Sequence, residues 1–113
     1  MIINYTQALE VFDNNEDFFV EVITDFLQNE FDVYLDVFYS ACEAKDAKLI
    51  NENAHKIKSA VLNIGAENLS ESAHKVETIA KNDELNTLDS LLEQFKREVI
   101  DLKAELNKYL ENR

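Results

Sequence analysis

Histidine and lysine side chains cluster in the stretch AHKIKSAVLNIGAENL, residues 54–69, which ends just after the only glycine of the chain. His55 and Lys58 are one helical turn apart in an amphipathic pattern, so an imidazole and an ammonium share one face. An imidazole with a free Nε2 can attack a transferable anionic group, and a neighbouring ammonium neutralises that group's charge. The pattern therefore predicts phosphoryl transfer at His55, with Ser59 small enough for a bulky partner to approach.

A glutamate in the following helix is expected to complete this site. A short turn at Gly65 predicts two antiparallel helices, in which residues at equal distances from the glycine lie opposite each other. His55 is ten residues before Gly65, so its counterpart is expected near Lys75, which His74 and Glu77 bracket. We expect Glu77 to accept the Nδ1 hydrogen of His55 and thereby leave Nε2 free. The spacing leaves His74 as either a supporting group or a spectator.

Long helices are the elements expected to position these residues. The 113-residue chain has one glycine and no proline, so tight turns are scarce and uninterrupted helices are favoured. Apolar residues recur every three or four positions in the segment before the glycine and again in the last segment, from about 84 to 110. The inner line of the segment before the glycine is Ile50, Ala54, Ile57, Val61 and Ile64.

The periodicity predicts an all-α protein, an antiparallel up-and-down four-helix bundle with an additional N-terminal helix. We expect one domain over residues 1–113, with an N-terminal helical cover at about 1–28 and the bundle at about 30–110. Asp13, Asn14 or Asn15 is expected to cap the second helix, Asp46 the helix that carries His55, and an interruption is expected at residues 29–32. Gly65 is expected to end the helix in the left-handed conformation that suits glycine.

The charge distribution disfavours several classes of partner. The net charge is -12, and residues 1–44 contain ten acidic side chains and no lysine or arginine. Nucleic acid or an anionic membrane would be repelled. The sequence predicts a cytoplasmic protein because it has no signal-peptide pattern and no long apolar run. It also lacks a glycine-rich phosphate loop, so the phosphoryl group has to arrive from another protein.

These residues resemble the histidine-containing phosphotransfer (HPt) domain of multistep two-component phosphorelays. The usual family pattern has a histidine, a lysine three positions later, a Gly-Ala pair, a leucine, and an apolar-Glu pair in the next helix. At the matching spacing this sequence has His55, Lys58, Gly65, Ala66, Leu69, Val76 and Glu77. Ser59 occupies a position where the family usually has glycine, and we expect it to narrow the choice of partner or to slow transfer without abolishing it.

The resemblance implies a phosphocarrier with a phosphohistidine intermediate, not an autonomous kinase. His55 would be the phosphoacceptor, Lys58 would neutralise the phosphate charge, and Glu77 would orient His55 Nδ1. The implied partners are receiver domains of response regulators or hybrid sensor histidine kinases. No cofactor is expected on this chain, and Mg²⁺ is expected on the receiver. Lys56 is interpreted as a surface charge that could steer an acidic receiver.

Two other functions remain open at this point. Glu52 with His55, and His74 with Glu77, are Glu/His pairs one turn apart of the kind that build metal sites in helical bundles. Against a di-metal site, the inner line of the last helix is wholly apolar. Alternatively, the chain could be a non-catalytic bundle that only docks on a receiver, using some of the aromatic side chains of residues 18–39 as an exposed patch.

Overall fold

Helices are the only regular secondary structure in residues 2–113, which are the residues described by this computed structural model. The all-α class predicted from the sequence is therefore confirmed. A π-helical turn, Phe26–Glu30, joins α2 to α3, and a 3₁₀ turn, Leu85–Thr87, precedes α6. The six α-helices are α1 (Tyr5–Val11), α2 (Glu16–Asp25), α3 (Phe31–Glu43), α4 (Ala47–Asn63), α5 (Glu67–Lys81) and α6 (Leu88–Glu111).

Side-chain caps define the starts of two of the helices that the sequence predicted. The Asn15 side chain accepts a hydrogen bond from Phe18 N at 3.0 Å at the start of α2. The Asp46 side chain accepts one from Leu49 N at 3.2 Å at the start of α4. Each cap satisfies a backbone donor that has no partner within its own helix.

Gly65 ends α4 through a hydrogen-bonded reversal of the backbone. Its φ is +85°, and two backbone bonds complete a Schellman motif, from Gly65 N to Leu62 O at 3.0 Å and from Ala66 N to Val61 O at 2.9 Å. The N-terminal segment also passes close to this glycine. Gly65 O accepts a hydrogen bond from Asn4 N at 2.9 Å, and a Cβ at position 65 would lie 2.8 Å from Asn4 O.

The interruption expected at residues 29–32 is not a break in the helical chain, and the irregularity that the structure shows is a π-helical turn at Phe26–Glu30. The chain remains helical from α2 through Phe26–Glu30 into α3. The rings of Phe26 and Phe31 stack across this turn with centroids 4.5 Å apart, and both side chains are buried.

The core follows the apolar periodicity of the sequence. All five residues of the predicted inner line of α4 are buried, and α4 packs between α3 and α5, while α5 also packs on α6. Phe38 of α3 and Phe95 of α6 are in contact, with ring centroids 5.0 Å apart. The N-terminal segment reaches α6 through Tyr5, whose hydroxyl donates to Glu105 at 3.0 Å. Within residues 2–113, no helix is long and apolar enough to cross a bilayer.

Candidate functional site

The helical hairpin of α4 and α5 positions the residues that the sequence singled out. The tight turn at Gly65 makes the two helices run in opposite directions, so residues on either side of the turn face each other. The structure brings Glu77 of α5 against His55 and Lys58 of α4. His74, one turn before Glu77 on α5, lies at the same cluster.

The Glu77 carboxylate is the shared acceptor of this cluster. Its Oε2 lies 2.6 Å from His55 Nδ1. Its Oε1 accepts a hydrogen bond from Lys58 Nζ at 2.7 Å and lies 3.2 Å from His74 Nδ1. One carboxylate therefore holds an imidazole on one oxygen and an ammonium on the other.

Glu77 is a charged acceptor at neutral pH. Its side chain is only 14% exposed, and burial by itself would raise its pKa. The hydrogen bonds from Lys58, His55 and His74 outweigh burial, so the pKa of Glu77 lies below its ordinary value. Because a carboxylate only accepts, the short contact assigns the hydrogen of neutral His55 to Nδ1.

This arrangement leaves Nε2 of neutral His55 unprotonated, on a side chain that is largely exposed. With Nδ1 protonated, the lone pair of the neutral ring resides on Nε2. The His55 side chain is 61% exposed, while the Lys58 side chain beside it is 24% exposed. A bulky partner can therefore reach the imidazole, and Lys58 binds the same carboxylate as this ring.

A groove with a volume of about 500 Å³ lies on one side of His55. Val22, Phe26 and Tyr34, contributed by α2, the π-helical turn and α3, line one wall. Lys56 and Ser59 of α4 lie on the opposite side, and both are exposed. Three of the apolar side chains from the predicted aromatic-rich segment thus lie beside the imidazole.

Two residues that the sequence interpretation did not assign to the site also contact it. Asn51 Nδ2 donates to Glu77 O at 3.0 Å, and Ser70 Oγ donates to Lys58 O at 3.2 Å. The only sequence signal for them is helical spacing, since Asn51 is one turn before His55 and Ser70 is one turn before His74. Gly65 lies outside the cluster and acts on it through the turn between α4 and α5.

The Glu/His pairs considered as a metal site do not form a ligand cluster. Across residues 2–113, no group of three or more histidine, cysteine or acidic side chains is placed to hold a metal ion. His55, His74 and Glu77 lie in one cluster, but Lys58 Nζ is bound to Glu77 Oε1, the same oxygen that faces His74 Nδ1. An ammonium in that position repels a metal cation.

Comparison with known protein families finds one family whose model matches most of this chain. The model of the family described as the Hpt domain matches residues 21–107. The chain belongs to the Hpt domain family. Hpt domains are phosphotransfer modules of phosphorelays and interact with receiver-type partners. The prediction that this chain is a phosphotransfer module is therefore confirmed.

The fold of this Hpt domain is also similar to one solved structure. It is the crystal structure of histidine-containing phosphotransfer protein B (HptB) from Pseudomonas aeruginosa PAO1. The match has a TM-score of 0.88 and 21% sequence identity, and it covers 99% of this chain and 96% of that chain. A comparison with curated proteins gave no significant match.

Proposed function

We propose that this Hpt domain is a phosphocarrier between receiver domains. His55 accepts a phosphoryl group from the aspartyl phosphate of one receiver and passes it to an aspartate of another. The observation that carries the proposal is the exposed imidazole of His55, whose Nδ1 lies 2.6 Å from the Glu77 carboxylate. An imidazole held in this way presents the unprotonated Nε2 to a partner.

The transfer step needs no additional reactant. The Nε2 lone pair forms a bond to phosphorus while the bond between phosphorus and the aspartyl oxygen breaks, and its electrons return to the aspartate carboxylate. The phosphorylated ring keeps its Nδ1 hydrogen and gains positive charge, which the Glu77 carboxylate stabilises. Transfer to the second receiver is the same step in reverse, with an aspartate of that receiver as the nucleophile.

Lys58 provides the positive charge for the phosphoryl oxygens. Its Nζ binds Glu77 Oε1 at 2.7 Å, next to the oxygen that holds the His55 ring. The long lysine side chain can turn from this carboxylate toward a phosphoryl group on Nε2 without a change in the backbone. Mg²⁺ on the receiver supplies the remaining charge stabilisation, and this chain needs no cofactor of its own.

The groove beside His55 is the proposed docking surface for the receiver. Val22 and Tyr34, which are partly exposed, offer apolar contact area next to the reactive nitrogen, and the buried Phe26 lies behind them in the same wall. Lys56 on the opposite side is the lysine of the lining and attracts the acidic pocket that surrounds a receiver aspartate, whereas Glu30 adds one carboxylate to the same lining. Ser59 sets the clearance beside His55. The partners are receiver domains of response regulators or hybrid sensor histidine kinases.

We also propose how the helices of the protein are arranged and where in the cell it is located. We take residues 1–113 as one Hpt domain, with the cover at about 1–28 and an antiparallel four-helix bundle at about 30–110. Contacts of α4 with α3 and α5, and of α6 with α5, support this arrangement. The cytoplasm is the proposed location, as the sequence predicts.

The test is transfer from a Mg²⁺-loaded receiver that carries radiolabelled aspartyl phosphate. We expect acid-labile, base-stable label on the wild-type protein and none on His55→Gln. His74→Gln is the matched control, because His74 has the same exposure and contacts the same carboxylate. We expect label to remain on this control.

The same experiment separates transfer from docking alone. Binding of His55→Gln to the receiver, measured by calorimetry, is expected to persist because the other residues that line the groove are unchanged. If several receivers bind the wild type but none transfers label, the chain is a docking module and the phosphocarrier proposal is wrong. Label that survives in His55→Gln would place the acceptor elsewhere.

A further inference from the structure

Two hydrogen bonds from side chains to backbone carbonyls connect α4 and α5 at the level of the Glu77 cluster. Asn51 Nδ2 of α4 donates to Glu77 O at 3.0 Å. Ser70 Oγ of α5 donates to Lys58 O at 3.2 Å. Both bonds are partly buried, and they run in opposite directions between the helices. The two acceptors are the backbone carbonyl oxygens of Glu77 and Lys58, whose side chains also belong to the cluster.

Asn51, His55 and Lys58 form a continuous stripe along one face of α4. They are spaced by four and three residues, so they occupy successive turns on the side that faces α5. All three donate to the same residue, with Asn51 bound to the Glu77 carbonyl and the other two bound to its carboxylate oxygens. Glu77 is therefore held at its backbone as well as at its side chain.

Hydrogen bonds add a directional constraint to the apolar packing of these two helices. The buried faces of the two helices include the small Ala54 and Ala73 together with larger side chains such as Ile57. The rise of a helix is about 1.5 Å per residue, so a shift of a fraction of one residue is enough to misalign a hydrogen bond. Directional bonds to backbone carbonyls oppose such a shift.

We propose that Asn51 and Ser70 are positioning residues, which fix the register of α4 against α5 so that Glu77 holds His55 in its reactive orientation. This inference rests on the proposed function only in that the orientation held by Glu77 is taken to be the one that reacts with phosphate. The orientation of His55 is a property of the free protein and is measurable without a partner. Neither residue touches the phosphoryl group, so both act through Glu77 and Lys58.

Nitrogen NMR of the His55 ring in the free protein is the direct test, because the ¹⁵N shifts distinguish a protonated Nδ1 from an unprotonated one. In Asn51→Ala, and more so in Asn51→Ala with Ser70→Ala, we expect the shifts to move toward a mixture of tautomers. The loss of one neutral hydrogen bond corresponds to an expected decrease of about 3- to 10-fold in single-turnover transfer to His55.

Asn53→Ala is the matched control for these variants. Asn53 is also an asparagine of α4 that donates to a backbone carbonyl, but its acceptor is Leu49 O within the same helix, at 2.8 Å. It is 8% exposed, so this substitution is expected to lower Tm at least as much as Asn51→Ala. We expect wild-type ¹⁵N shifts and a wild-type transfer rate in Asn53→Ala.

Three results bear on the inference. Wild-type His55 shifts in the double variant would overturn it, because the ring would then be oriented without the two bonds. Equal changes in Asn53→Ala would also overturn it, since general destabilisation would explain the effect. Shifted His55 resonances in a protein that transfers no phosphate would support the positioning role and contradict the proposed function, so the two failures are distinguishable.

Discussion

Replacing Glu77 with alanine removes the carboxylate that lies 2.6 Å from His55 Nδ1 and leaves the imidazole itself intact. A hydrogen bond to a charged group contributes about 1.5–3 kcal/mol. His55 is 61% exposed, so solvent screening favours the lower end of this range. About 1.5 kcal/mol corresponds to a rate about tenfold lower. We therefore expect Glu77→Ala to transfer phosphate about tenfold more slowly than the wild type, without loss of transfer.

Glu77→Gln separates charge from geometry at the same position. Its amide oxygen can still accept from His55 Nδ1, but a neutral bond is about half as strong, so the expected decrease is only about threefold. Lys58 loses its anionic partner in both variants, and the difference between them therefore reports on the bond to His55. The assay is rapid-quench measurement of single-turnover transfer from a radiolabelled, Mg²⁺-loaded receiver.

Glu93→Ala controls for the loss of a negative charge from this acidic protein. Glu93 is an exposed residue of α6, and within residues 2–113 its side chain makes no hydrogen bond or ion pair in the structure. We expect this variant to transfer at the wild-type rate. An unchanged rate in Glu77→Ala would refute the orienting role. Complete loss of transfer from a folded Glu77→Ala protein would also refute it, because orientation alone is too weak to account for such a loss.

Two further predictions concern stability and reactivity. Gly65→Ala places a Cβ 2.8 Å from Asn4 O at a residue whose φ is +85°, and we expect a loss of about 2–4 kcal/mol and a fall in Tm of about 10 °C or more by calorimetry. An unchanged Tm would contradict this account of the turn. Burial raises the pKa of the Cys42 thiol from 9.0 to about 11. At pH 8 this lowers the thiolate fraction about a hundredfold, so iodoacetamide should modify the native protein at least that much more slowly than the urea-unfolded protein. The native rate should rise with pH toward 11, and rapid native modification at pH 8 would contradict the buried position.

The helices and their inner faces could be predicted from the sequence because their causes are local. Asn15 and Asp46 cap the helices that follow them, and Gly65 ends α4, as the positions of these residue types indicated. Apolar spacing of three and four residues likewise identified the buried side of α4. The contact of His55 with Glu77 could also be predicted, because residues at equal distances from a short turn lie opposite each other in two antiparallel helices.

The tertiary structure determined the features that depend on more than one element. The sequence indicated a break near residues 29–32, but packing of Phe26 on Phe31 accompanies a π-helical turn that contributes to the groove beside His55. Asn51 and Ser70 had no distinguishing pattern, because an asparagine or serine on a helix acquires a role only when a carbonyl of another helix lies within reach. Spacing along one chain fixes which residues share a face, whereas the contacts of that face depend on how the helices pack.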